Sequence, residues 1–188
     1  KAIIPVSHDG LPYDIDSVMK IANEHNITVI EDNAQSMLAE YKGRYVGKDA
    51  HITMFSFERT KHVSTGEGGI LITNDSELAV KSRKFAGMGF KNLSAKKSDL
   101  VAGVPLEYQN PTYERNDELG LNYRFNEFLA AIALAQFELA DERVQLRRDI
   151  AKIYDDVFEN TSFKIQHIPD GYKSSYFTYA VESPLTKL

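Results

Sequence analysis

Phe55-Ser56-Phe57-Glu58-Arg59-Thr60-Lys61-His62-Val63-Ser64-Thr65-Gly66-Glu67-Gly68-Gly69 is the stretch on which the reading of this chain turns. It opens on the end of an apolar run, Ile52 to Phe57, whose length and composition predict a buried strand. It closes on a glycine cluster that permits positive φ and a tight reversal into the next strand, Gly69 to Thr73, also read as buried. Between the two strands lies a single lysine. Upstream by 29 positions, Asp32 closes another β-branched run, Ile27 to Ile30, of the kind a strand covered on both faces shows.

Around that stretch the pattern alternates. Residues 2–6 predict a short strand, and after the turn His8 to Pro12, Ile15, Val18, Met19 and Ala22 recur at helical spacing behind Asp14, a good N-cap. This strand–helix–strand order is what a parallel, doubly wound sheet requires. Tyr41 to Gly47 reads as a small hairpin or surface turn. Asp75 caps a helix running to about Phe85. Residues 87–121 are the least patterned and read as a long loop, a kind of segment that is usually functional or disordered. Phe128 to Phe137 is almost wholly apolar, which predicts a helix covered on most sides. An amphipathic helix follows over about 142–158, then strands over 164–168 and Tyr176 to Val181.

Composition sets the outer bounds. With 188 residues, 43% hydrophobic and 26% charged, the chain has the makeup of an ordinary globular protein. A net charge of −5 and the lack of a basic tract argue against nucleic acid. Without cysteine, disulfides and thiolate metal sites are excluded, which fits the cytoplasm. The five histidines show no metal-ligand spacing, so no metal is expected. No apolar run has the length of a membrane span. Both ends read as strands lacking neighbours, which suggests a piece of a longer protein.

In an open parallel sheet, ligands gather beyond the carboxyl ends of the strands. Asp32 and Ser56 would both face that crevice. A carboxylate, a hydroxyl and a lysine on such ends suit pyridoxal 5′-phosphate: Lys61 bonding the aldehyde, Asp32 facing the ring nitrogen, Ser56 taking the phosphate. Gln35 stands where it could reach the ring. A lysine that attacks an aldehyde must be neutral, which partial burial or neighbours such as Arg59 and His62 can promote. Each residue also has a plainer reading. Asp32 suits a strand-end cap, Ser56 a strand hydroxyl, Gln35 a turn amide, and a lone lysine solvated surface.

Four blocks together resemble the DegT/DnrJ/EryC1/StrS sugar aminotransferases of fold-type I. They are Pro5-Val6 with Gly10-Leu11-Pro12, Glu31-Asp32-Asn33-Ala34-Gln35, the lysine stretch itself, and Gly120-Leu121-Asn122-Tyr123-Arg124 leading into Ala130-Ala131-Ile132. The resemblance implies an α/β fold: residues 1–141 as part of a large cofactor-binding domain with a mainly parallel sheet, and 142–188 as a linking helix and the start of a small α+β domain. It implies Lys61 as the Schiff-base residue and Asp32, Gln35 and Ser56 around the cofactor. Asn122 or Arg124 would reach a partner subunit's cofactor phosphate, in a homodimer with shared active sites.

The implied activity moves an amino group from glutamate to a nucleotide-linked keto-sugar, with pyridoxamine phosphate as the carrier between half-reactions, in amino-sugar and polysaccharide biosynthesis. A related sugar dehydratase, or a non-catalytic cofactor-binding regulator, would share the fold. Two departures stand out. His62 follows the lysine where many relatives carry Asn or Thr, although counting back from Thr65 to Gly69 keeps Lys61 in register. Nothing matches the family's upstream phosphate-binding and ring-stacking segment, so this stretch alone is expected to bind the cofactor poorly or not at all.

Overall fold

The computed structural model describes residues 1–94 and 109–184, in two compact units: residues 1–72 with 127 onward, and residues 73–126. The first unit contains β1 (Ala2–Ile3), α1 (Ile15–Glu24), β2 (Thr28–Asp32), β3 (Glu40–Tyr41), β4 (Arg44–Tyr45), β5 (Ile52–Ser56) and β6 (Gly69–Ile72). The second unit holds α2 (Ser76–Ala86). The first resumes with α3 (Glu127–Phe137), α4 (Ala140–Phe158), β7 (Lys164–Ile165), β8 (Tyr172–Lys173) and β9 (Val181–Glu182).

The principal sheet has the order β1-β2-β5-β6, parallel except for β6, which returns antiparallel along β5. The predicted strand–helix–strand crossover is present: β1 pairs with β2 in parallel, and α1 covers one face. Asp14 caps α1 by accepting from the Ser17 N–H at 3.1 Å, as its position before the apolar period foretold. Ile15 and Ala22 of α1 meet Val29 and Tyr41 in a buried core, with Val18 and Met19 packed beside them.

Alternation then sorts β2 and β5 by face. Val29, Glu31 and Thr53 are buried, and the Thr53 hydroxyl donates to Glu31 at 3.0 Å, satisfying a carboxylate that is 2% exposed. The opposite face carries Ile30, Asp32, Met54 and Ser56, all half-buried.

The 41–47 turn is a hairpin, β3 against β4, and β8 adds to its other side. In the second unit Asp75 caps α2 through the Glu77 and Leu78 N–H groups. There the described parts of the predicted 87–121 loop form turns with isolated bridges, Gly87 to Asn122 and Phe90 to Asn116; residues 95–108 fall outside the described set.

Three expectations fail. β6 is an edge strand and is exposed along its length, where a buried strand was predicted. The apolar helix α3 buries only Ala133 among the described residues, with Phe128 84% and Leu134 69% exposed. Hydrophobicity all round a helix states that something should cover it, and the described residues of this chain do not. The third concerns Tyr176 to Val181. Only Val181 joins a strand, and Tyr176 has φ of +47°, a left-handed conformation that no strand residue adopts.

Candidate active site

Strand register brings two of the predicted residues together. Asp32 pairs with Met54, so Ser56 lies two residues further along the adjoining parallel strand and on the same face. Strand dimensions put their Cα atoms ~8 Å apart. Both therefore stand at carboxyl ends, as the sequence suggested. Asp32 accepts from the Ala34 N–H through Oδ1 at 3.0 Å, and its Oδ2 has no partner among the described residues. Ser56 Oγ accepts from the Glu58 N–H at 3.2 Å and keeps its own proton to donate.

The lysine loop is held by its own backbone. The Phe57 N–H donates to Gly68 O at 2.9 Å, Thr65 N–H to Phe57 O at 2.9 Å, and Lys61 N–H to Glu58 O at 3.0 Å. Gly69 is required where the loop closes: a Cβ there would stand 2.7 Å from the Phe55 carbonyl oxygen. The Thr60 hydroxyl and N–H hold the Glu58 carboxyl below its ordinary range. Lys61 forms no ion pair within 4 Å among the described residues; its Nζ sits 4.5 Å from the centroid of the Phe177 ring.

That ring belongs to the segment where a strand was expected. Residues 174–178 form a strap tied from three directions. Arg148 Nε donates to Ser174 O at 2.9 Å, and Arg147 Nη1 donates to both Tyr176 O and Phe177 O at 3.2 Å. The Ser175 N–H donates to Gly10 O at 2.9 Å. His62, 5% exposed, bonds Ser175 O through Nε2 at 3.0 Å. A carbonyl only accepts, so His62 carries its proton on Nε2. Burial, then the nearby cations Arg147, Lys61 and Arg148, push its pKa from 6.5 down to about 4 despite that bond. A left-handed Tyr176 is the price of a strap bonded this way rather than as a sheet edge.

Lys61 also lines a pocket of about 570 Å³ bounded by α4 and the strap. Asp32, Gln35 and Ser56 do not line it. Gln35 turns its Oε1 to the Asp9 N–H at 2.9 Å, the turn-stabilising use the sequence also allowed. Asn122 and Arg124 belong to the second unit, both exposed, with Arg124 Nε donating to Asn122 Oδ1 at 3.0 Å. His62, Arg147 and Phe177 were not read as site residues. Only the lysine-adjacent position of His62 carried a signal, since its partner lies 113 residues away.

With that geometry in view, the sequence matches the DegT/DnrJ/EryC1/StrS aminotransferase family over residues 1–187. The chain belongs to this family. It is 35% identical over 187 residues to a GDP-perosamine synthase of Escherichia coli O157:H7, covering 100% of this chain and 45% of that protein. Among solved structures, a DegT DnrJ EryC1 StrS aminotransferase from Brucella abortus superposes with a TM-score of 0.81 at 28% identity, over 97% of this chain and 44% of that one. Helicobacter pylori PseC, an aminotransferase involved in the biosynthesis of pseudoaminic acid, gives a TM-score of 0.81 at 30% identity, over 96% and 45%. This family member therefore spans less than half the length of each of these relatives. Its fold is that of the fold-type I aminotransferases, with the mainly parallel sheet expected of them. No described helix is long and apolar enough to cross a membrane.

Proposed function

We propose that this family member is the lysine-bearing part of a pyridoxal 5′-phosphate-dependent aminotransferase that moves an amino group from an amino acid, glutamate, to a nucleotide-linked keto-deoxysugar. The observation that carries the reading is the register placing Asp32 and Ser56 on one face of adjoining strand ends, with Lys61 in the loop that follows. The donor set fits the group: an unpartnered carboxylate oxygen for a ring N–H, a hydroxyl with its proton free for a phosphate, and a lysine without a counter-ion. When bound, the cofactor supplies an electron-withdrawing ring that lets an amino group be exchanged between carbon skeletons.

The chain's own residues would do the rest. Asp32 would accept from the ring N–H through its unpartnered carboxylate oxygen and so hold the proton there. Ser56 orients the phosphate. Gln35 keeps the Asp9 turn in place and would lie beside the ring. Lys61 would hold the cofactor and, with its amine free, would carry a proton to and from the substrate carbon at short range. Asn122 or Arg124 is assigned to the cofactor phosphate of a second copy, in a homodimer. The uncovered apolar surface of α3 supports such an interface. Residues 1–141 are assigned to the large domain and 142–188 to the linking helix and the start of the small domain, in a cytoplasmic enzyme of amino-sugar biosynthesis.

Borohydride reduction of the full-length protein after exposure to pyridoxal 5′-phosphate should leave a modified Lys61 peptide, absent in Lys61→Ala. Glutamate should then yield 2-oxoglutarate, with an aminated nucleotide sugar as the second product. Loss of a sugar hydroxyl without 2-oxoglutarate would make it a dehydratase. Labelling without turnover on any keto-sugar would make it a regulator. Labelling elsewhere than Lys61 would end the reading.

A further inference from the structure

We propose that Phe177 is a positioning residue for Lys61: its ring is a resting place for the lysine side chain while the amine is unbonded, apart from the strand ends that carry Asp32 and Ser56. This rests on Lys61 being the residue that bonds the cofactor, the reading given above.

An unbonded lysine presents a compact cation that seeks a counter-charge or an acceptor. Lys61 pairs with neither among the described residues. Glu58 feels its charge only as the least of the causes acting on that carboxyl, and the two form no ion pair within 4 Å. What Nζ meets is the Phe177 ring, 4.5 Å from its centroid, inside the ~6 Å over which the face of an aromatic ring attracts a cation. The contact turns the side chain toward α4 and the strap. Lys61 lines the pocket there, and Asp32, Gln35 and Ser56 do not.

Backbone fixes both partners. The Lys61 N–H donates to Glu58 O at 3.0 Å, and Phe177 O accepts from Arg147 Nη1 at 3.2 Å. His62, next to the lysine, bonds Ser175 O at 3.0 Å and sets its own ring 6.0 Å from that of Phe177. Loop and strap are thus latched to each other, and the lysine side chain can leave the ring without either segment shifting.

The surroundings make this resting place shallow. The pocket lining contains no aspartate or glutamate, and Arg59, Arg143 and Arg147 repel an ammonium. A carboxylate in place of the ring would hold the lysine as an ion pair. The ring attracts it by about threefold in an equilibrium, enough to favour one place and little enough to release the amine to the cofactor.

The test compares Phe177→Leu, which keeps apolar cover for the lysine stem and loses the ring face, with Phe177→Tyr, which keeps both. In the full-length protein stripped of cofactor, acetylation of the Lys61 peptide by acetic anhydride should run about threefold faster in Phe177→Leu and unchanged in Phe177→Tyr. In an absorbance titration, pyridoxal 5′-phosphate should bind Phe177→Leu about threefold more tightly, because the ring stabilises only the unbonded lysine. A ring that merely supports the fold predicts the opposite sign. Phe177→Met repeats the comparison with a second apolar shape should the leucine variant not fold. Unchanged acetylation without the ring, equal effects in the leucine and tyrosine variants, or weaker cofactor binding by Phe177→Leu would each overturn the assignment. Borohydride labelling separates the two readings. If Lys61 of the unsubstituted protein is not labelled, the cofactor reading fails, and acetylation still decides the ring contact; if it is labelled while loss of the ring changes nothing, only the Phe177 assignment fails.

Discussion

Acidification should weaken this protein through His62 more than through any surface carboxylate. The imidazole is buried against the strap and neutral, with its pKa pushed down to about 4 from 6.5 by desolvation. In the unfolded chain it takes up a proton near 6.5; in the folded chain it does so only near 4. Between those values the unfolded state binds more protons, so stability rises with pH and is lost as pH falls. The contribution is complete above pH 6.5 and exhausted below about 4. At 1.36 kcal/mol per pH unit the whole interval is worth about 3 kcal/mol, a large share of the ~5–15 kcal/mol that holds a typical domain. Urea unfolding of the unsubstituted protein and of His62→Asn, from pH 4 to 7.5, reads it directly. Asparagine can still donate to the Ser175 carbonyl but cannot titrate. The stability difference between the two should climb by about 3 kcal/mol from pH 4 to 7 and level off above. Carboxylates such as Asp14, held down to about 2 by Tyr41 and Ser17, are common to both proteins and cancel. Parallel stability curves across that range would refute a buried, neutral His62.

Asp14→Ala removes the α1 cap and the acceptor of the Tyr41 hydroxyl at 2.6 Å; a loss of about 1 kcal/mol in urea unfolding is expected, with Lys61 labelling retained. Gly10→Ala is expected to cost about 2 kcal/mol or more, visible as a lowered Tm, because Gly10 has φ of +89° and its Cβ would meet the Tyr176 nitrogen at 2.5 Å. Asp32→Asn keeps an acceptor for the Ala34 N–H but not the negative charge. Amino transfer by the full-length protein should fall about 10²–10³-fold, read as 2-oxoglutarate release, while unfolding is nearly unchanged.

Much of the architecture was legible because it is encoded locally. Asp14 and Asp75 announced their helices, since a cap acts on N–H groups two or three residues away. The β-branched run ending at Asp32 and the uncharged run ending at Ser56 declared neighbouring parallel strands, and pairing in that order put both residues at one end of the sheet. Where the reading failed, the deciding contacts were remote. Tyr176 to Val181 has the composition of a strand, yet Arg147 of α4 takes up the carbonyls of Tyr176 and Phe177, and Arg148, the turn at Gly10 and the imidazole of His62 fix Ser174 and Ser175 just before them. The period of α3 states how apolar the helix is and is silent about what covers it.

From the order of residues alone came the lysine, its glycine-closed loop, and the acid and hydroxyl on adjoining strands. Only the folded chain decided what surrounds that lysine: a phenylalanine ring at 4.5 Å, a strap latched to the next residue, and a pocket walled by arginines. Capping and periodicity depend on neighbours within a turn or two, which a sequence displays directly. Which side chain meets Lys61 depends on how segments more than a hundred residues apart divide a few backbone donors and acceptors among themselves, and that is settled only when the whole unit packs.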